Sequence, residues 1–550
     1  MAAILPPGVS AASFVAALKA LEAALGKDHV LTGDAALEPY RDQYSMRWNQ
    51  PGEYLASAAV LPQSTEEVQA VVRIANQYGL PLYPISTGKN LTYGGAAPTL
   101  SGSVVVDLKR MNRILAVDDK RNLALVEPGV SYFDVYKHIK EHRLQVWLDV
   151  PDPGLGSLVG NALDHGVGYT SGPYRDHFGA HCGMEAVLPT GEVIRTGMGA
   201  LPGADSWQDF GYGVGPDVAG LFGQANFGIV TKMGFKLMPA PEAWMTGSMS
   251  VPDYTDLGKL IEVVNYLEDS GIISGRPVYN SSGFHPFEGR FPSAATRIPL
   301  SELMKDGWPS PEQIHTYYQR HGGPSWKVVL QYYGPAETVQ AAWDYSFDRL
   351  VKAVPGSTFG DVEWLPMPLT PDQEKRYKLV DYGIPNMQLF EMTTAEIAAV
   401  ELHGPVQGHV DFLAVIPRTA QAVHAAQRII YETQKEMGAE VSATPFHAPI
   451  AWYHRCFLMG APTIAALRDT PDRAQKAKAL YEAYVKNMAK AGFGVYRTNP
   501  AMQELAVGQF SFNDHALLRF QERLKDAADP NGIMAPGRYS IWPKRMRKRG

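Results

Sequence analysis

Hydrophobic and polar positions alternate between two rhythms along this chain. Residues 13–25 repeat apolar side chains every three or four positions and stop at Gly26, the pattern of an amphipathic helix. Ser64 and Glu67 have capping-box spacing, and they open a second helix through 68–77 that stops at Gly79. Short apolar runs at 55–61, 80–86, 102–108 and 122–127 read as strands, with a helix at 131–142. Residues 184–197 read as a hairpin turning at Thr190-Gly191, and 228–238 as a further strand. Beyond Pro239-Ala240-Pro241 the texture changes. Longer helical stretches such as 418–437 mix with strands such as 326–333, which places a domain boundary near 240. The order predicts an α+β fold. Segment 519–550 returns to short motifs, Asp529-Pro-Asn-Gly532 and Ala535-Pro-Gly-Arg538, of a kind that rejoins the first domain. The basic run from Lys544 to Arg549 reads as a solvated end.

Composition narrows the classes. Apolar residues make up 45% and charged residues 19%, the balance of an ordered globular enzyme. Fifty basic against 56 acidic residues leave a net charge of −6, so no basic field exists for nucleic acid. No run of 18 apolar residues is present to cross a membrane, and the first residues lack the pattern of a secretory leader; cytoplasm is the expectation. Cys182 and Cys456 are too few for a disulfide scaffold or a cysteine zinc site.

Several segments carry candidate chemistry. The loop from Thr87 to Pro98 holds Gly88, Gly94 and Gly95, which let backbone N–H groups converge on an anion, with Ser86, Thr87 and Asn90 as further donors. An ordinary turn-rich loop is the competing reading. Asp152 to Gly160 imitates a dinucleotide fingerprint, but its third glycine comes one residue late and Pro151 and Pro153 spoil the turn. Asp149 and Asp152 flank a proline turn, either as a base with its partner or as turn chemistry. Tyr496-Arg497 suits an anionic ligand oxygen, or else forms a surface strand pair. His177 and His181 have the i, i+4 spacing of metal ligands on a helix, though Gly179 weakens that helix and no third ligand follows at a motif spacing. His409, in Gly408-His-Val-Asp-Phe412, reads locally as a structural histidine.

Together these segments resemble the vanillyl-alcohol oxidase / p-cresol methylhydroxylase flavoproteins, and are similar to eugenol oxidase-like members. The resemblance is carried by STGKNLTYGGAAPTLSGSVVVDL (86–108), VEPGVSYFDVY (126–136), WLDVPDPGLGSLVGNALDHGVGYT (147–170), YRDHFGAHCGMEAVLPTGEVIRTGMGALPG (174–203), NFGIVTKMG (226–234), YRTN (496–499) and DPNGIMAPGRYSIWP (529–543). It implies a PCMH-type FAD-binding domain at 1–240, a cap or substrate domain at 241–492, and a C-terminal segment, 493–550, that returns to the first. FAD is the implied cofactor, with Ser86, Thr87, Gly88, Lys89, Asn90 and Gly94 at its diphosphate. Gly160, Asn161, Gly168, Tyr169, Met184, Glu185, Gly228, Ile229 and Val230 lie in motifs that line it. Arg538 matches the cation facing the flavin N1/O2 edge, and His409 the histidine bonded to the flavin 8α carbon.

The same resemblance implies a para-substituted phenol as substrate, its oxygen held by Tyr93, Tyr496 and Arg497, with Asp152 as the carboxylate that activates water or takes a proton. It also implies a homodimer, and reoxidation by O₂ giving H₂O₂ or by a cytochrome c partner. Three departures stand out. No histidine occurs in 41–56, where relatives carry one that assists flavin attachment. The family's Tyr-Gly-Asp-His becomes Tyr174-Arg175-Asp176-His177, an extra guanidinium expected near substrate or flavin. A Met-His-His stretch in the cap becomes Ala451-Trp452-Tyr453.

Overall fold

A computed structural model describes residues 4–42, 44–90, 92–224, 226–281, 303–321, 325–377, 380–387, 409–438, 448–460, 464–465 and 471–547. Among them no helix is long and apolar enough to cross a membrane.

The first layer follows from the amphipathic helices. Helix α1 (Ala11–Leu25) starts at Ser10, whose side chain accepts from Ser13 N, and ends at Gly26. Helix α2 (Thr65–Tyr78) starts where Ser64 Oγ accepts from Glu67 N and ends at Gly79, which is left-handed at φ +70°. Both cover a four-stranded sheet of β1 (Val30–Leu31), β2 (Ala58–Val60), β3 (Leu82–Ile85) and β4 (Val104–Asp107), in the order β1-β2-β4-β3. The β2–β4 and β3–β4 pairs are parallel. Phe14, Leu21, Val68, Val72, Val104 and Val106 form its core. The strands are shorter than the apolar runs that announce them, because Ser86 bends into the glycine loop and Leu108 enters a 3₁₀ turn.

A second, antiparallel sheet has the order β5-β6-β9-β7-β8. It comprises β5 (Ile114–Asp118), β6 (Leu123–Val126), β7 (His181–Val187), β8 (Val193–Arg195) and β9 (Ile229–Lys236). The β7–β8 pair is the hairpin read at 184–197. Helix α3 (Tyr132–His142) carries a complete capping box between Ser131 and Asp134. The short helix α4 (Leu158–Leu163) packs with it against this sheet through Leu158, Val159 and Val135.

Described residues between Ala243 and Met488, joined by Met46 and Met502, share a further core. Strands β10 (Ala243–Val251), β11 (Val278–Ser281), β12 (Trp326–Gly334) and β13 (Thr358–Pro366) pair in the order β11-β12-β10-β13. Helices α5 (Leu257–Asp269), α6 (Ala336–Ala353), α7 (Ala420–Glu436) and α8 (Pro471–Lys490) belong to the same unit. Strand β14 (His409–Val410) pairs with residues 464–465, while β15 (Leu413–Ile416) lies between β16 (Phe457–Gly460) and β17 (Gly494–Val495). The buried Glu268 on α5 accepts from Arg175 at 2.6 Å and from Arg418 at 2.7 Å. Through Nη2, Arg175 thus ties the 170s segment to α5, while its buried Nε and Nη1 have no hydrogen-bond partner among the described residues.

The C-terminal segment comes back to the first sheet. Leu82 N donates to Ile533 O at 2.7 Å and Ala535 N to Leu82 O at 2.8 Å, extending β3 sideways. Helix α9 (Phe512–Ala528) supplies Lys525, fully buried, which donates to the carbonyls of Asn226 and Met534 and pairs with Asp529 at 2.8 Å. Burial pushes the Lys525 ammonium below its ordinary pKa, and Asp529 opposes that shift. The basic end is less solvated than its composition suggests: Arg547 is half-buried and pairs with Glu522 and Asp526, at 3.2 and 2.6 Å. Lys548 and Arg549 lie outside the described residues. Removing one partner of a buried ion pair strands the other charge, so Lys525→Met should cost about 3–5 kcal/mol of stability. Thermal unfolding checks this. A Lys525→Met/Asp529→Asn double variant should recover part of the lost melting temperature.

Candidate active site

The glycine loop, α4, the start of β9 and the returning C-terminal segment line a cavity that opens to solvent. Ser86, Thr87, Gly88, Lys89, Asn90, Gly160, Asn161, Gly228, Ile229, Val230 and Arg538 all line it, from four stretches of chain far apart in sequence. Tyr83, Ser157, Asp164 and Phe222 line it as well, and no motif reading singled them out. Helix α4 approaches the loop closely because residue 160 is glycine: a Cβ there would collide with Ser86 Oγ. Ser157 fixes the start of α4, accepting from Gly160 N and donating to Pro128 O. The segment read as a failed dinucleotide fingerprint is thus the entrance to a short helix beside this cavity.

Asp164 closes α4 and faces the cavity. Its Oδ1 accepts from Arg538 Nη2 at 2.8 Å. Its Oδ2 accepts from Asn90 Nδ2 at 2.6 Å and from Arg497 Nη1 at 3.3 Å. Arg538 also donates to the Tyr83 hydroxyl at 2.6 Å. One carboxylate therefore sits between two buried guanidinium groups. Burial alone lowers the pKa of each arginine, but phenol rings and Asp164 more than offset it, so both stay charged.

Arg497 also joins the tyrosines. Its guanidinium carbon lies 4.0 Å from the Tyr93 ring centre and 4.9 Å from that of Tyr496. The buried Arg497 Nε has no hydrogen-bond partner among the described residues. The Tyr496 hydroxyl donates to His165 O; the Tyr453 hydroxyl donates to the same carbonyl at 2.7 Å and lies 3.3 Å from Tyr496 Oη. Burial holds Tyr93, Tyr453 and Tyr496 above the usual phenol pKa, so all three remain neutral donors. The YRTN motif explains the convergence. Thr498 accepts from the Tyr481 hydroxyl at 3.0 Å, and Asn499 donates to Thr92 O and to Asp42 at 3.1 Å, locking this segment to the Tyr93 loop. Tyr496-Arg497 is therefore a largely buried pair, not a surface one. The replacement Ala451-Trp452-Tyr453 brings a third phenol here and sets Trp452 edge-on against Tyr169, with centres 6.1 Å apart.

The other candidates divide. Asp152 is half-buried, and its charge acts on the buried Tyr169 phenol, as does Tyr496. Asp149 is a structural anchor: it accepts from Tyr169 N, Thr170 N and the Thr170 hydroxyl, and its Oδ2 lies 2.9 Å from His177 Nε2. A Cβ at Gly168 would occupy the space of that carboxylate. His177 also contacts Asn161 and Tyr132, in a turn, whereas His181 opens β7. The two histidines are not on one helix. Gly94, Gly168, Tyr169, Met184 and Glu185 do not line the cavity. Gly94 lies against Pro500, Met184 is in the core of the second sheet, and Glu185 pairs with Arg195 at 2.9 Å and Lys232 at 2.7 Å. The backbone of His409 is on β14, four residues before Leu413, whose carbonyl accepts from Tyr496 N at 2.8 Å. Its side chain and Gly408 lie outside the described residues. Asp164, Tyr83 and Tyr453 were missed because an acid at a helix end and isolated tyrosines carry no spacing signal until the chain folds.

Residues 56–197 match the family described as FAD binding domain. The cavity fits that coenzyme: it has hydroxyl and amide donors on a glycine loop, a close helix approach at Gly160, and a buried cation at Arg538. The chain is 31% identical over 541 residues to the 4-cresol dehydrogenase [hydroxylating] flavoprotein subunit of Pseudomonas putida, covering 98% of each. It superposes on 4-ethylphenol oxidase from Gulosibacter chungangensis in its isoeugenol complex, with a TM-score of 0.80, 30% identity, and 99% and 100% of the two chains covered. For p-cresol methylhydroxylase with substrate bound the TM-score is 0.79 at 29% identity, covering 99% and 100%. With full-length likeness, a matched FAD domain and a mixed α and β architecture shared throughout, the chain belongs to the vanillyl-alcohol oxidase / p-cresol methylhydroxylase family of FAD-dependent oxidoreductases.

Proposed function

We propose that this enzyme oxidises para-substituted phenols, 4-alkylphenols, 4-allylphenols or 4-hydroxybenzyl alcohols, at the carbon attached to the ring. The observation that carries the reading is the buried, tyrosine-enclosed Arg497 with an unpartnered Nε. Such a group suits an anionic oxygen, and the relatives' own names supply the class: 4-cresol, 4-ethylphenol and isoeugenol are all para-substituted phenols.

Tyr93, Tyr496 and Arg497 bind the phenol oxygen and favour its ionised form, because a cation and neutral donors stabilise a phenolate in a site shielded from water. The negative charge delocalises to the para position, which makes loss of hydride from the attached carbon feasible. FAD, when bound, supplies the two-electron hydride acceptor. The substrate loses H⁻ and becomes a neutral para-quinone methide. Asp152 then takes a proton from water as its oxygen adds to that carbon, giving a 4-hydroxybenzylic alcohol; a benzylic alcohol instead loses its hydroxyl proton and gives the aldehyde. Loss of a proton from the next carbon gives a vinyl phenol.

The preferred electron acceptor is O₂, reduced to H₂O₂. Transfer to a cytochrome c has comparable support, because one relative is named a dehydrogenase and another an oxidase at almost equal identity. His409 is the proposed tether to the flavin 8α carbon. Its place on the stretch leading to Leu413, beside the tyrosine cluster, supports this assignment.

Arg497→Ala should lower kcat/KM by roughly 30- to 900-fold, the equivalent of about 2–4 kcal/mol of lost phenolate stabilisation. Steady-state kinetics with 4-ethylphenol checks it, and unchanged turnover removes Arg497 from the mechanism. Peroxide detected in equal amount to substrate consumed in air supports the oxidase. Almost no peroxide with rapid dye reduction supports the cytochrome route. Acid-precipitated protein should stay yellow if His409 holds the flavin covalently, and a His409→Ala variant should release free FAD under the same treatment.

A further inference from the structure

The two arginines that the phenol reading uses separately are held by one acid, Asp164, which that reading leaves without a role. Arg538 Nη2 lies 2.8 Å from Asp164 Oδ1 and Arg497 Nη1 lies 3.3 Å from Oδ2; all three side chains are about nine-tenths or more buried. Asp164 and Arg538 both face the cavity beside the glycine loop, while Arg497 faces the tyrosine cluster. A carboxylate shared in this way cannot offset either cation fully, and in low-dielectric surroundings the fraction it offsets is felt over several ångströms.

We propose that Asp164 is a charge-balancing positioning residue: by dividing one negative charge between Arg497 and Arg538 it sets how strongly the phenol oxygen is ionised at one end and how readily the coenzyme accepts electrons at the other. The inference rests on the phenol reading for its first half and on the FAD cavity alone for its second. Oxidation moves one unit of negative charge from the phenolate to the reduced ring system. The pair of arginines therefore sees charge leave one member and arrive beside the other, and a shared counter-ion links the two changes.

Among the described residues, Asp164 is the carboxylate that bonds to both arginines. From the glycine loop, Asn90 donates to Oδ2 at 2.6 Å and Tyr93 stacks on Arg497. From β3, Tyr83 accepts from Arg538. The neighbouring His165 is kept below its ordinary pKa by burial, so it adds no charge near neutrality. Tyr496 and Tyr539 flank the arginines as neutral phenols. Asp42, Asp411 and Asp176 act electrostatically on Tyr83, Tyr93 and His165 respectively.

The experiment uses purified yellow holoenzyme and two readouts besides turnover: the flavin midpoint potential, and the pKa of bound 4-nitrophenol read from its phenolate absorbance. Asp164→Asn removes the charge and keeps the shape. The bound phenol should become about tenfold easier to ionise, one pKa unit. The two-electron potential should rise by about 30 mV, again a tenfold change in equilibrium. Asp164→Glu, which keeps the charge, should leave both values near those of the parent even where turnover falls. A purely structural buttress predicts the opposite sign at the phenol, because a loosened Arg497 makes ionisation harder, and it predicts that Asp164→Glu disturbs binding too; that outcome overturns the proposal. If Asp164→Asn does not retain coenzyme, the two readouts on Asp164→Glu decide. No spectral change when the parent protein meets 4-nitrophenol would instead refute the phenol reading, and the potential shift would still test Asp164.

Discussion

Two guanidinium groups cannot be buried in one region without a counter-charge, and this constraint organises the active region. Stripping an ion of water costs several kcal/mol even after relaxation, and only close pairing with good geometry compensates. Asp164 supplies that pairing because α4 ends at it, and α4 reaches the glycine loop because residue 160 lacks a side chain. The positions of Asn90, Arg497 and Arg538, drawn from three distant parts of the chain, all refer back to this one acid. The same logic recurs at lower stakes where Glu268 gathers Arg175 and Arg418, and where Asp529 answers Lys525.

Much of the scaffold was legible because its signals are local. Ser64, Gly26 and Gly79 mark helix ends with backbone hydrogen bonds that a few consecutive residues decide. The hairpin at Thr190-Gly191 is legible for the same reason. Strand lengths were overstated, since an apolar residue continues to be buried after its backbone has left the ladder, as Leu108 does.

The site was legible in a different way. Local reading left the glycine loop, Asp152 and Tyr496-Arg497 each balanced against a bland alternative, and only the ordered set of motifs tipped them. What no motif carried was pairing across the fold. Arg175 looked like a new charge beside the substrate or flavin, and its ion-pair partner, Glu268, lies 93 positions away. Asp149 looked like half of an acid–base pair, yet four donors from the 169–177 stretch occupy it. Tyr453 stands in a stretch that read only as a departure, although its hydroxyl meets the same carbonyl as that of Tyr496. Partners at such separations are invisible to periodicity, which senses neighbours one turn or one strand apart.

The returning C-terminal segment imposes an order in time. Arg538 bonds to Tyr83 across 455 residues of chain. At about 5–20 residues per second, a ribosome takes roughly 20 to 90 seconds to deliver the arginine after the tyrosine. Throughout that interval the nascent first sheet lacks the neighbour that completes β3, and Asp164 lacks its nearest cation. The cavity wall that Arg538 supplies is accordingly the last part of this site that translation delivers.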